Sequence, residues 1–170
     1  MYPYLRSVAD ELRTLRLVYR LSTEALDAHR LNLPATCRGW EAWDHADQFI
    51  LESINEQLNR VVDAAVISAF VRLRNGLTIK ETRLSRAAIL RQFEEPFHID
   101  AASLPGWQAV LSVARDANAT KHRAGVHWTE SGEGIGVFAG TVQLYRSTLN
   151  GRIRNVGRWL RAFGIANQVP

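Results

Sequence analysis

Apolar residues recur at steps of three and four along most of this chain. Leu5, Val8, Leu12, Leu15, Tyr19 and Leu26 form one such stripe, the pattern of an amphipathic helix. Pro3 suits its first turn and Leu33-Pro34 its end. An irregular stretch over 35–43 holds Trp40 and Trp43, and a long helix is then predicted from Asp44 to Arg74. Asp44 would cap it. Its stripe takes in Phe49, Ile50, Ile54, Leu58, Val61, Val62, Ala65, Ile67 and Phe70. Asn75-Gly76 stops it, since both residues tolerate the left-handed conformation. A shorter helix over 82–93 is closed by Pro96. Ser103 caps the next, which has Pro105 in its first turn and stops between Arg123 and Gly125. Gly132, Gly134, Gly136 and Gly140 mark a Gly-rich loop or short hairpin. A final helix is expected from Thr141 to Phe163, with Val142, Tyr145, Leu149, Val156, Leu160 and Phe163 at near-heptad spacing.

The pattern predicts an all-α fold: an antiparallel bundle of four to five helices, forming a single domain over residues 1–170. No strand–helix alternation exists to build a parallel sheet. The apolar content, 46%, suits a chain with a sizeable core. The longest charge-free core run, Ala64 to Val71, is too short to span a bilayer. The first residues lack a basic region followed by an apolar run, so neither a signal peptide nor a membrane partner is expected, and the location is read as cytoplasmic. Cys37 is the single cysteine, which excludes an internal disulfide.

Charge is unevenly distributed. The net value is +4, yet from Gly134 to the end there is no Asp or Glu beside Arg146, Arg152, Arg154, Arg158 and Arg161. A basic terminal helix attracts phosphates or an acidic partner. It reads equally as a solvated arginine-rich face.

Chemistry concentrates in Arg115-Asp116-Ala117-Asn118-Ala119-Thr120-Lys121-His122. On a helix, Leu104, Gln108, Leu111, Arg115, Asn118 and His122 share one stripe beside a packing stripe of Trp107, Val110, Ala114 and Ala117. Arg115 and His122 then stand about 10 Å apart along the axis. They meet on one phosphate only if the side chains lean together, the helix breaks, or a second subunit contributes. The residue types fit metal-free RNA cleavage. Histidine takes or gives a proton near neutral pH, so it can activate the RNA 2′-OH. Arginine grips a phosphate through two hydrogen bonds and stabilises charge as it develops. Asp116 or Asn118 would orient either group. The same segment also suits an ordinary helix end, where Lys121, His122 and Arg123 offset the macrodipole.

Arg-Asp-x5-His late in an all-α bundle resembles the R-x4–6-H motif of the HEPN superfamily, and Asn118 to Arg123 is similar to an N-x-x-K-H-R segment of some HEPN-like bacterial proteins. The resemblance implies a HEPN-like bundle that dimerises and brings two motifs together in a cleft. Many members are metal-independent ribonucleases of toxin–antitoxin, abortive-infection or phage-defence systems, and some lack nuclease activity. Carried over, Arg115 and His122 are the catalytic pair, supported by Asp116 and Asn118. Lys121, Arg123, Arg154 and Arg158 would bind the RNA substrate. The implied partners are RNA, a second copy of the chain, and a cognate antitoxin or defence-system protein.

The alternative is a non-catalytic helical interaction module, with a nucleotide or RNA sensor as a third reading. Other constellations are weaker. His45 with His29, His98 or His127 lacks the spacing of a metal site, so no metal or cofactor is expected. Gly134-Ile135-Gly136 lacks a following Walker lysine. His127-Trp128 would flank a base by stacking, or simply pack. Leu17, Val18, Leu21, Ile153 and Ile165 add apolar surface beyond the main seams, as a dimer or a wider core would need.

Overall fold

A computed structural model describes residues 3–37, 41–74, 86–97, 100–123, 127–128, 134–135 and 144–167. Five helices make up most of it: α1 (Pro3–Leu31), α2 (Glu41–Arg74), α3 (Arg86–Phe97), α4 (Trp107–Arg123) and α5 (Arg146–Ala166). A two-residue antiparallel ladder, β1 (His127–Trp128) on β2 (Gly134–Ile135), lies between α4 and α5. The loop or hairpin expected around Ile135 to Phe138 lies, beyond Ile135, outside the described residues.

Helices α1, α2, α4 and α5 close into a ring: α1 packs on α2 and α5, and α4 packs on the same two. Helices α2 and α5 also touch across the diagonal, and α3 lies on α2. The predicted α1 stripe is the buried one: Val8, Leu12, Leu15 and Tyr19 join Tyr4 in the core. They meet Leu51, Leu58 and Val62 of α2 and Leu149, Val156 and Phe163 of α5 in one cluster. Burying each such side chain fully contributes about 1.5–3 kcal/mol.

Trp159 is fully buried at the centre of α5. It stacks on Phe163 at 5.0 Å, and its indole N–H donates to the Ala101 carbonyl at 2.9 Å. Trp43 plays the corresponding part at the α1–α2 connection. Its ring lies 5.6 Å from His29, and its N–H donates to the Cys37 carbonyl at 2.9 Å.

Several boundaries differ from the sequence reading. Helix α2 begins at Glu41, so Asp44 lies inside the first turn and is not its cap. Helix α3 runs through Pro96 to Phe97. A proline this near a helix end removes one hydrogen bond and leaves little helix beyond to distort. Phe49 and Ile67 face solvent although they fall on the apolar stripe of α2, whereas Ile153 is buried.

The largest difference is at α4, which starts at Trp107 and not after Ser103. Ser103 closes a short turn of 3₁₀ helix, Ala101–Ser103, capped by Asp100 through its carboxylate on the Ala102 N–H at 2.8 Å. Pro105-Gly106 then forms a turn closed by Trp107 N–H on the Leu104 carbonyl at 3.3 Å. Gly106 has φ +98°, which proline at the preceding position accommodates in a type II turn and which no α-helix contains. A Cβ there would stand 2.1 Å from the Asn155 carbonyl oxygen on α5. Gly106→Ala is therefore expected to cost about 2 kcal/mol or more, from strain and from parting α4 and α5. Urea unfolding would read this as a lower midpoint at unchanged slope.

The last helix starts at Arg146, five residues after the predicted start, with Tyr145 at its N-cap position and exposed. Of the other predicted stripe residues, Val142 lies outside the described residues. A cation at a helix N-terminus opposes the macrodipole. Two carboxylates offset it. Arg146 donates to both Asp27 oxygens at 2.6 and 2.9 Å and to Asp47 at 2.8 Å, tying α5 to α1 and α2. The hydrogen bonds from Arg146 hold the Asp27 carboxyl below its ordinary range, despite a small opposing effect of burial. A depressed carboxyl pKa contributes stability above the unfolded value, lost as pH falls through the folded one. The stability gap between wild type and Arg146→Gln should be about 1 kcal/mol at pH 7 and begin to narrow as pH falls below about 4. Paired urea titrations at pH 7 and pH 3 measure it.

Candidate functional site

Helix α4 buries Ala109, Val110, Val113, Asp116 and Ala117, a three-and-four spacing that puts one carboxylate on an apolar face. Asp116 is 1% exposed, so it is a core residue and not part of the solvent-facing rim. A buried carboxylate is tolerable only when paired and hydrogen-bonded, and both its oxygens are used. Oδ1 accepts from Arg115 Nε at 3.0 Å, and Oδ2 accepts from Arg152 Nη2 at 2.5 Å. Arg152 also donates through Nη1 to Asn55 Oδ1 at 3.0 Å. Asn55, buried on α2, returns the connection to α4 by donating to the Val113 carbonyl at 3.2 Å. The network thus links α2, α4 and α5.

Arg115 sits at the outer end of this network. Its side chain is 74% exposed and makes one ion pair, through Nε. Its two Nη groups have no partner among the described residues. A guanidinium fixed by its Nε edge keeps a two-pronged face for a phosphate or carboxylate. Gln108, Leu111 and Asn118 are exposed on the same side of α4. Asn118 makes no side-chain hydrogen bond among the described residues, and Thr120 turns its hydroxyl back to the Asp116 carbonyl at 3.0 Å.

The α4 backbone continues unbroken through His122 to Arg123. Arg115 and His122 are therefore about two turns and 10 Å apart along one axis. The side chains of Lys121, His122 and Arg123 lie outside the described residues, as do those of His127 and Trp128. Arg154 and Arg158 are exposed on α5; both border α1, and Arg158 also borders the start of α4 beside Trp107 and Gln108. They line a groove with Arg13, Arg16 and Arg161 that does not include Arg115. The sequence reading takes both as RNA-guiding residues of the last helix, and burial of Ile153 and Val156 leaves them on the solvent side of α5.

Sequence reasoning missed Arg152 and Asn55. The signal was a polar residue inside an apolar stripe: Asn55 lies between Ile54 and Leu58, and Arg152 between Leu149 and Val156. Elsewhere, His45 is exposed on α2 and Cys37 is partly buried. Among the described residues, no group of three or more His, Cys, Asp or Glu is arranged to hold a metal ion. None of the described helices is long and apolar enough to cross a membrane. Comparison with protein-family models, with curated proteins and with solved structures found no match for this chain.

Proposed function

We propose that this chain is a HEPN-like, metal-independent endoribonuclease of a bacterial toxin or phage-defence system, active as a homodimer. The observation that carries the reading is Arg115: a solvent-facing guanidinium, held at Nε by a buried carboxylate that is itself anchored by Arg152. Such anchoring reduces the orientational freedom that a phosphate-binding group must lose in the transition state.

In this mechanism the Nη groups of Arg115 hold the scissile phosphate. His122 of the facing motif accepts the 2′-OH proton. The 2′-oxygen forms a bond to phosphorus as the P–O5′ bond breaks, and the departing 5′-oxygen takes the proton from the His122 imidazolium so formed. The products are a 2′,3′-cyclic phosphate and a 5′-hydroxyl. Asp116 positions Arg115 and does not touch the RNA. Pairing two chains answers the 10 Å separation within one helix, because Arg115 of one copy meets His122 of the other. A cognate antitoxin or defence-system protein would then regulate the dimer.

One observation favours a non-catalytic interaction module instead: the unbroken helix keeps the two motif residues apart within a single chain. The test is incubation of mixed cellular RNA with the purified chain in EDTA, beside Arg115→Ala. Cleavage by wild type alone, leaving cyclic phosphate ends, supports the nuclease. Intact RNA in both, with the chain dimeric and folded, favours the module.

A further inference from the structure

Helices α1 and α5 run antiparallel, with Gly164 against the Tyr4 ring and Gly157 against Leu12. Between them lies a groove of about 370 Å³. Leu5, Val8 and Leu12 form an apolar floor with Gly157. The walls are arginine: Arg13 and Arg16 from α1, and Arg154, Arg158 and Arg161 from α5. Among the described residues, no carboxylate lines it.

Little offsets this charge. Arg13 pairs with Asp10 at 2.8 Å, but both are mostly exposed, so the pair is worth little. Among the described residues, Arg158 donates only to the neutral Asn155 side chain, at 3.3 Å. Arg16, Arg154 and Arg161 have no hydrogen-bond or ion-pair partner among the described residues. Gathering five guanidiniums around one groove costs self-repulsion, which a bound polyanion relieves. The arginines are also ordered along the seam. Those of α5 cover about 10 Å of helix. Arg13 and Arg16 continue along the opposite wall into a second groove that Arg20 also lines.

From this we infer that the α1–α5 groove binds the phosphate backbone of a single RNA strand, at a site separate from Arg115. Arginines that follow one another along the seam, first from α5 and then from α1, track a narrow, flexible chain, a fit that a flat anionic membrane surface does not make. The groove binds backbone and not sequence, since guanidiniums on phosphates carry no base readout. The choice of RNA rests on the ribonuclease reading above; the groove's affinity for phosphate does not.

The test uses a labelled 2′-O-methyl oligoribonucleotide, which lacks the attacking hydroxyl and so reports binding alone. Fluorescence anisotropy is measured across a salt series for wild type, for Arg16→Gln/Arg154→Gln/Arg161→Gln, and for Arg91→Gln as an exposed cation on α3. The three substituted arginines are exposed, and circular dichroism checks the fold. The triple variant should bind at least about tenfold more weakly, with a salt slope shallower by about 2, while Arg91→Gln behaves as wild type. Unchanged affinity and slope in the triple variant overturn the inference. So does sedimentation with phosphatidylserine vesicles that depends on these arginines while RNA binding does not. If the groove variants lose binding but wild type cleaves no RNA, the groove stands and the nuclease reading fails. If wild type cleaves RNA and the triple variant binds normally, the groove alone fails.

Discussion

Asp116→Ala is expected to destabilise the protein by about 3–5 kcal/mol, the usual cost of breaking a buried ion pair from one side. Removing the carboxylate leaves Arg152, whose side chain is 12% exposed, facing the core with only Asn55 to receive its hydrogen bonds. The loss is specific to the unpaired charge. Replacing both partners, as Asp116→Leu/Arg152→Leu, should therefore restore much of the stability, because a buried pair often contributes little over an apolar one. A double-mutant cycle in urea reads this directly. If the double variant is as unstable as the sum of the two singles, Asp116 and Arg152 do not act as a pair. Asp116→Asn belongs in the same series. It keeps the size of the side chain but weakens the hold on Arg115, so RNA cleavage should fall more than stability does.

His122→Ala should lower cleavage by about two to four orders of magnitude, the range of a lost general acid or base. Arg115→Ala should cost about two to three, as for a lost donor to developing charge. The two losses should not add, since in the proposed mechanism both residues act on the same phosphate. Mixing the two inactive variants is more informative still. In the proposed dimer, a mixed pair would hold one site with an intact Arg115 facing an intact His122, so activity should return on mixing. No recovery from chains that demonstrably exchange would place the pair within one chain, where the unbroken α4 separates them.

The bundle is legible in the sequence because its stripes are local. Val8, Leu12, Leu15 and Tyr19 follow a three-and-four rhythm and bury as that rhythm requires. What such a rhythm cannot resolve is which of two adjacent apolar rows turns inward. Phe49 and Ile67 read as core candidates yet remain exposed, and Val113 and Ile153 fill the core instead. The start of α4 is ambiguous in the sequence, because Pro105-Gly106 spells a turn as clearly as Ser103 spells a cap.

The candidate site divides in the same way. Arg115 and its polar neighbour stand out as a local motif. The burial of Asp116 does not, because the arginine that makes it tolerable comes from α5, 36 residues later. The α1–α5 groove is non-local too. Its arginines lie at opposite ends of the chain, and only the antiparallel pairing of the first and last helices brings them together.

The measurement that bears most directly on the ribonuclease reading is cleavage of a matched pair of oligonucleotides by the wild-type chain in EDTA. One is RNA and the other its 2′-O-methyl counterpart. Cyclic phosphate ends from the RNA alone, lost with Arg115→Ala, are the predicted result. Cleavage of both would contradict attack by the 2′-hydroxyl, and cleavage of neither, with both bound, would contradict the nuclease itself.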